Sequence, residues 1–285
     1  MVVRAYCPGH ISGYFQRITG AKHHATGSIG AGIVIDPGVR VTVSPARSTT
    51  VRILQQTVHG SNKQVADHSP PVTSVLNRLG VDASVVTECI LPIGAGFGLS
   101  AAALLATLTA ADRIFELGLS SREISHIAHE TEIEYRTGLG DVSACQDGGR
   151  VLRTSPGIDG AIERFFDVEP AVHAISFGPI HTPSVIGSSE QMERVARAFP
   201  VTGQRTIPGF FDSCREFSKK SGLETPRVRH VLNACAAENI PAGMTMLGEG
   251  IFACGARAGA VLRPFGHVYT CRMARSGPRI LEDGP

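Results

Sequence analysis

Tryptophan is absent from the 285 residues, and aromatic residues make up only 6% of them, which leaves few flat platforms on which nucleobases could stack. Neither sign of charge dominates. The 27 Lys and Arg against 25 Asp and Glu give a net charge of +2, no electrostatic reason to expect nucleic acid or an anionic membrane as partner. Long apolar runs are missing too: the longest, Leu99 to Ala111, contains Ser100, Thr107 and Thr109 and is too short to span a bilayer. The apolar segment after Met1, Val2 to Cys7, is too short for a signal peptide and lacks a small-residue cleavage pattern. The seven cysteines are scattered singly with no CxxC pair, which argues against zinc and for a reducing, cytoplasmic setting. No period of roughly 20–50 residues recurs, so repeat architectures are out. What remains is a compact globular composition, 42% hydrophobic and 18% charged, whose length slightly favours two domains and whose partner is a small molecule.

The first half alternates strand-like and helix-like segments. Val2–Tyr6 reads as a strand followed by a turn at Cys7-Pro8-Gly9-His10. Further β-branched stretches lie at Ile33–Ile35, Arg40–Ser44, Val51–Gln55 and Ala83–Cys89. Val65–Leu79 has helical spacing interrupted by Pro70-Pro71, and Leu99 to about Glu116 is apolar on nearly every side, as a central buried helix would be. Ser120 with Glu123 three positions on forms a capping box, opening a helix that runs to about Tyr135. After Arg150–Arg153 the pattern predicts a strand at Pro170–Phe177, helices at Ser189–Ala198, Phe210–Ser218 and Arg227–Glu238, and strands at Gly250–Gly255 and Val268–Ala274. A domain boundary is expected near Ser155–Gly160, dividing the chain into residues 1–155 and 156–285. The polar tail from about Arg275 is expected to be loosely held.

The most informative segment is Pro92-Ile93-Gly94-Ala95-Gly96-Phe97-Gly98-Leu99-Ser100-Ala101. Three glycines at alternate positions let the backbone turn sharply and approach a ligand without Cβ clashes. The loop enters a long helix whose free N–H groups and dipole suit a phosphate. Ser100, in the first turn, could reach a phosphate or a Mg²⁺ ion. Alone, such glycines equally suit a strand–turn–helix corner; no Lys follows as in a P-loop, and the glycine spacing is not that of a dinucleotide fingerprint.

Pro-x-x-x-Gly-x-Gly-x-Ser-Ala-Ala opening a buried helix resembles the second motif of the galactokinase–homoserine kinase–mevalonate kinase–phosphomevalonate kinase (GHMP) superfamily. Cys7-Pro8-Gly9-His10-Ile11-Ser12-Gly13 resembles the first motif, and the segment from Gly243 to Ala253 the third. The chain departs from the broad pattern at Leu99-Ser100, where a Ser-Ser pair is usual, and in a third motif without its dense glycine run. Those departures, with Gly27-Ser28-Ile29-Gly30 and Thr137-Gly138-Leu139-Gly140-Asp141, resemble the archaeal pantoate kinase family. The resemblance implies a two-domain α+β fold, with a ribosomal-S5-domain-2-like N-terminal domain and a ferredoxin-like C-terminal domain. Ligands would sit between the two. It also implies an ATP- and Mg²⁺-dependent kinase converting (R)-pantoate to 4-phosphopantoate in coenzyme A biosynthesis, with pantoate and ATP as partners and a homodimer left open. A homoserine or shikimate kinase of the same superfamily, or a non-catalytic nucleotide-dependent sensor, is the alternative.

The segment His126–Glu134 supplies metal and acid candidates. His129 and Glu132 share a helix face at i, i+3, while Glu130 points elsewhere. By resemblance, the loop Pro92, Gly94, Ala95, Gly96, Phe97, Gly98, Leu99, Ser100 and Ala101 binds ATP, and Ser100 with Glu132 holds Mg²⁺, Glu130 being the other candidate ligand. Asp141 would take the attacking hydroxyl's proton; its bland reading is a helix cap. A hydroxy acid also needs a carboxylate receptor, best provided by the planar fork of an arginine. Arg153 is the first choice and Arg150 the second. Ser28, His129 and Thr182 are further substrate contacts by resemblance, and His10, standing where the first motif often has Arg or Lys, is at most a minor phosphate or structural contact.

Overall fold

The computed structural model describes residues 1–168, 171–201 and 205–284. The chain opens on β1 (Val2–Ile18), which runs antiparallel to β2 (Gly27–Pro45) along nearly its whole length. The turn expected at Cys7–His10 does not exist. Pro8 drops out of the pairing instead, at a register shift between Cys7 and Gly9, so the strand bends and continues. A proline without an N–H is tolerated in a ladder at just such a bulge.

β3 (Thr50–Gln56) and β4 (Asn62–Ala66) form a hairpin, and α1 (Pro70–Leu79) leads to β5 (Ala83–Cys89), parallel to β3 and antiparallel to β2. The helix expected from Val65 therefore starts only at Pro70, where a proline fits the first turn, and Val65 belongs to β4. Next come α2 (Leu99–Phe115), α3 (Ser121–Tyr135), α4 (Asp141–Cys145), β6 (Arg150–Arg153) and β7 (Ile162–Phe165). The capping box of α3 forms as its sequence implies, with Ser120 accepting from the Glu123 N–H and Glu123 reaching back. The apolar helix α2 is the centre of this half: it packs on β1 and β2 and against α1, α3 and α4, with Ala101, Ala102, Leu104, Leu105 and Leu108 fully buried.

The remaining elements are β8 (Val172–Pro179), α5 (Thr182–Ile186), α6 (Ser189–Ala198), α7 (Ile207–Ser221), α8 (Pro226–Ala237), β9 (Ala242–Met244), β10 (Gly248–Cys254), α9 (Ala258–Leu262), β11 (Tyr269–Met273) and β12 (Arg279–Gly284). Pro170, where a strand was expected to begin, lies outside the described residues; the strand itself spans β8. The tail is not loose. β12 pairs with Val2–Tyr6 of β1, covering an edge that would otherwise present unpaired backbone groups.

Strand order is β4-β3-β5-β2-β11-β8-β10-β9, with β1 and β6 also on β2. Because β11 bonds both β2 and β8, the two halves share one hydrogen-bonded sheet in a mixed α+β architecture. The end of β1 reaches into the second half, where the Tyr14 ring packs among Phe199, Phe210 and Phe217. This places His10 and Ser12, midway along β1, where the two halves meet.

Candidate active site

The glycine loop adopts the conformation its residues were read to require: Gly94, Gly96 and Gly98 have φ of 74°, 83° and 61°, all left-handed. Close approach constrains them as well. A Cβ on Gly96 would stand 2.7 Å from the Met246 carbonyl oxygen, and one on Gly248 2.0 Å from that of Ala95. The His10 N–H donates to Phe97 O at 2.9 Å, and the Met246 N–H to Ser12 O at 3.1 Å. Three segments distant in sequence are thus stitched together by backbone contacts that leave no room for side chains. α2 begins directly after Gly98 with no side chain capping it, so its first N–H groups are available to an anion.

A cleft of about 670 Å³ opens at this junction. Ile93, Gly94, Gly96, Phe97, Gly98, Leu99 and Ser100 line it, as do Ser28, Glu132, Thr137 and Asp141, while Thr182, Met246 and Leu247 enter from the second half. Val39, Ile53, Pro71, Val72 and Leu104 add apolar lining. Pro92, Ala95 and Ala101 do not line the cleft; Ala95 and Ala101 are buried beneath the loop and helix they support.

Two carboxylates meet in the cleft. Glu132 is 2% exposed; its Oε1 accepts from Thr137 Oγ1 at 3.0 Å, and its Oε2 has no hydrogen-bond partner. Burial, reinforced by the nearby Asp141 charge, pushes its pKa up to about 8, against the pull of the Ser100 and Thr137 hydroxyls. Asp141 is the first residue of α4, and its Oδ1 lies 2.7 Å from His10 Nδ1. Burial alone would raise this carboxyl, but the His10 contact and then the Arg153 charge hold it below the usual aspartate range. Glu132 Oε2 and Asp141 Oδ2 both lie within 3.1 Å of the point where a Gly138 Cβ would sit, so Gly138 is what lets the two carboxylates share one space. Asp141 does not cap its helix; Gly140 occupies that position and no side chain caps it. Glu130 lies outside the cleft, paired with Arg78.

The two arginines separate clearly. Arg150 is fully buried, bonds Asp167 at 2.6 Å and the Arg205 carbonyl at 2.5 Å, and stacks on Phe165 and Phe210. It ties β6 to the second half and has no part in the cleft. Arg153 does not line the cleft surface either: it is 2% exposed, yet its Nε and Nη1 lack hydrogen-bond partners. It stands directly behind Gly140, where a Cβ would meet Ser28 Oγ at 2.6 Å and Arg153 Nε at 2.7 Å. His129 does not line the cleft. Its Nε2 is 2.8 Å from the Thr26 carbonyl oxygen, which anchors the start of β2 and hence Ser28. Residue types and spacing missed the His10–Asp141 contact and the Thr137–Glu132 bond, because neither pair is a repeat or a helical neighbour. The only signal for His10 was its place in the first motif.

The fold and the glycine-loop cleft are those of a GHMP kinase, an ATP-dependent phosphotransferase. The sequence pattern of the GHMP kinases N terminal domain matches residues 65–149. A solved structure described as a phosphotransferase related to the CoA biosynthesis pathway superposes with a TM-score of 0.78, at 22% identity and covering 98% of both chains. The pantoate kinase of Methanospirillum hungatei is 45% identical over 98% of this chain and 96% of its own, and that of Thermococcus kodakarensis 28% identical over 89% and 87%. The chain belongs to the pantoate kinase family.

Proposed function

We infer that the protein transfers the γ-phosphoryl group of ATP to the 4-hydroxyl of (R)-pantoate. The single observation that carries the reading is the convergence of Ser100, Glu132 and Asp141, from three separate helices, beside the free N–H groups at the start of α2. Phosphoryl transfer asks a protein chiefly for positioning and charge stabilisation, which is what this arrangement can supply. In this reading the N–H groups and left-handed glycines cradle the phosphates, and the apolar lining of the cleft takes the adenine.

The donor set also fits Mg²⁺. Among the described residues no three His, Cys, Asp or Glu side chains gather, but Glu132 offers a partnerless buried oxygen beside the Ser100 hydroxyl. A hard ion that takes few protein ligands and completes its shell with phosphate oxygens suits such a pair. Ser100 and Glu132 would hold it, and it would offset the negative charge of the phosphates. Asp141 accepts the proton of the pantoate hydroxyl as its oxygen forms the new P–O bond and the bond to the β–γ bridging oxygen breaks, leaving ADP. The substrate carboxylate pairs with Arg153, whose guanidinium has unmet donors, and with Ser28; Thr182 contacts the substrate from α5, and His129 acts by holding Thr26 and so Ser28 in place. Residues 1–155 are assigned to the N-terminal ATP-binding domain and residues 156–285 to the C-terminal domain, which contributes Thr182 to the site.

ADP release measured with pantoate, homoserine and shikimate tests the reading directly. Pantoate should be turned over at least about a hundredfold more efficiently, since a site built to pair a charged group rejects analogues that leave it unpaired or misplaced. Preference for either rival would overturn the substrate assignment while leaving the kinase class intact.

A further inference from the structure

We propose that His10 is the positioning residue of the phosphoryl-transfer site: a neutral imidazole that donates from Nδ1 to Asp141 Oδ1 and so turns Oδ2 toward the substrate hydroxyl. The inference rests on the reading of Asp141 as proton acceptor.

The geometry is direct. His10 Nδ1 lies 2.7 Å from Asp141 Oδ1, and the ring is completely buried whereas the Asp141 side chain remains 22% exposed to the cleft. An ionised carboxylate can only accept, so the proton of this bond sits on Nδ1. The other nitrogen, Nε2, has no partner, because the ring is wedged against Gly32, where a Cβ would stand 2.2 Å from Nε2. A proton there would be an unpaired, buried N–H bearing positive charge. The groups facing the ring are Asp141 on α4, Arg153 on β6 and Arg164 on β7; burial, followed by the opposing pull of Asp141, leaves the imidazole below its ordinary pKa. His10 therefore keeps one proton, in one place, and cannot compete for the one that leaves the substrate.

The backbone of the same residue fixes a second relation. Its N–H donates to Phe97 O in the phosphate loop, and a Cβ on Gly98 would stand 3.0 Å from the His10 carbonyl oxygen. One residue thus sets the register between the loop that would hold the phosphates and the carboxylate that would take the proton. That division of labour uses one oxygen of Asp141 for holding and leaves Oδ2, the oxygen facing Gly138 and Glu132, for chemistry.

His10→Leu, His10→Asn and Asp141→Asn, assayed with ATP and pantoate, test the proposal. His10→Leu should lower kcat roughly ten- to a hundredfold, the scale of a misaimed catalytic group, with KM for ATP little changed. His10→Asn, which keeps a donor near the Nδ1 position, should recover most of the rate. Equal kcat in wild type and His10→Leu, a loss confined to KM for ATP, or no recovery in His10→Asn would overturn the role. If His10→Leu does not fold, ¹⁵N-histidine spectra of the wild type decide the matter: a neutral ring with its proton on Nδ1 between about pH 6 and 8 is expected, and a doubly protonated or Nε2–H ring overturns it. Full activity in Asp141→Asn would instead remove the proton-acceptor reading on which the proposal stands, a different outcome from an inert His10 beside an essential Asp141.

Discussion

Arg78 Nη2 lies 2.8 Å from Glu130 Oε2, and that pair withdraws Glu130 from the cleft, leaving Glu132 facing it two residues further along the same helix. Two positions along a helix rotate a side chain by more than half a turn, so one glutamate meets α1 and the other meets Ser100. Glu132→Ala and Ser100→Ala should each reduce kcat by about a hundredfold or more, exceeding the ten- to hundredfold typical of lost outer-shell partners of a metal. Glu130→Ala should stay within about twofold, as expected for a half-exposed surface pair. Steady-state kinetics at saturating Mg²⁺ compare the three.

Burial of Glu132 has a consequence for stability. Its pKa is raised to about 8 in the folded chain from an ordinary 4.5, so between those values the folded state binds more protons than the unfolded state. Stability is therefore lost as pH rises through that window, the reverse of a salt-bridged carboxylate. In the absence of nucleotide and Mg²⁺, Glu132→Gln should raise the melting temperature at pH 8.5 and change it much less at pH 5. An inactive but more stable protein at high pH is the expected pair of results, read by calorimetry and ADP release. Equal gains at both pH values would mean that the carboxyl is not held neutral by its surroundings.

Gly96 combines a φ of 83° with a 2.7 Å approach to the Met246 carbonyl oxygen. Gly96→Val should abolish measurable ATP binding in isothermal titration and also lower the melting temperature, since strain and overpacking each cost about 1–3 kcal/mol. Gly118→Ala, equally left-handed at φ 71° but with open space around it, isolates the strain. It should destabilise modestly and leave ATP binding intact.

Arg150 and Arg153 are the other contrast. Arg153→Ala should weaken pantoate binding by about 2–5 kcal/mol with ATP binding nearly unchanged, and Arg153→Lys should restore only part, because a point charge cannot copy a planar fork. Arg150→Ala should show the opposite profile: a loss of about 2–5 kcal/mol of stability from the cavity left beside Phe165 and Phe210, and an ordinary pantoate KM in whatever folds. Chemical denaturation and pantoate titration of both variants separate the roles.

Much of the fold was legible because it is written locally. The capping box at Ser120, the β-branched run Ala83–Cys89 and the left-handed glycines of the Gly94–Gly98 loop all follow from interactions within a few residues. So does the buried helix α2, whose apolar residues circle its axis. The turn at Pro8 and the loose tail were misread for one reason. Both segments depend on a distant partner, β2 for the first and β1 for the second, and pairing across the chain overrides local propensity.

The site divides along the same line. The family resemblance pointed to Ser100, Glu132 and Asp141, and position after the Asp141 loop ranked Arg153 above Arg150. Only the tertiary structure decided that Glu130 belongs to Arg78, that Arg150 belongs to Asp167, that His129 serves the backbone at Thr26, and that His10 holds Asp141. A sequence specifies which groups can ionise and where the backbone can bend. Which two groups meet is set by sheet register and helix packing, and because burial and a charged neighbour fix the proton affinity of each, the chemistry of this cleft exists only once β1, β2 and α2–α4 have closed around it.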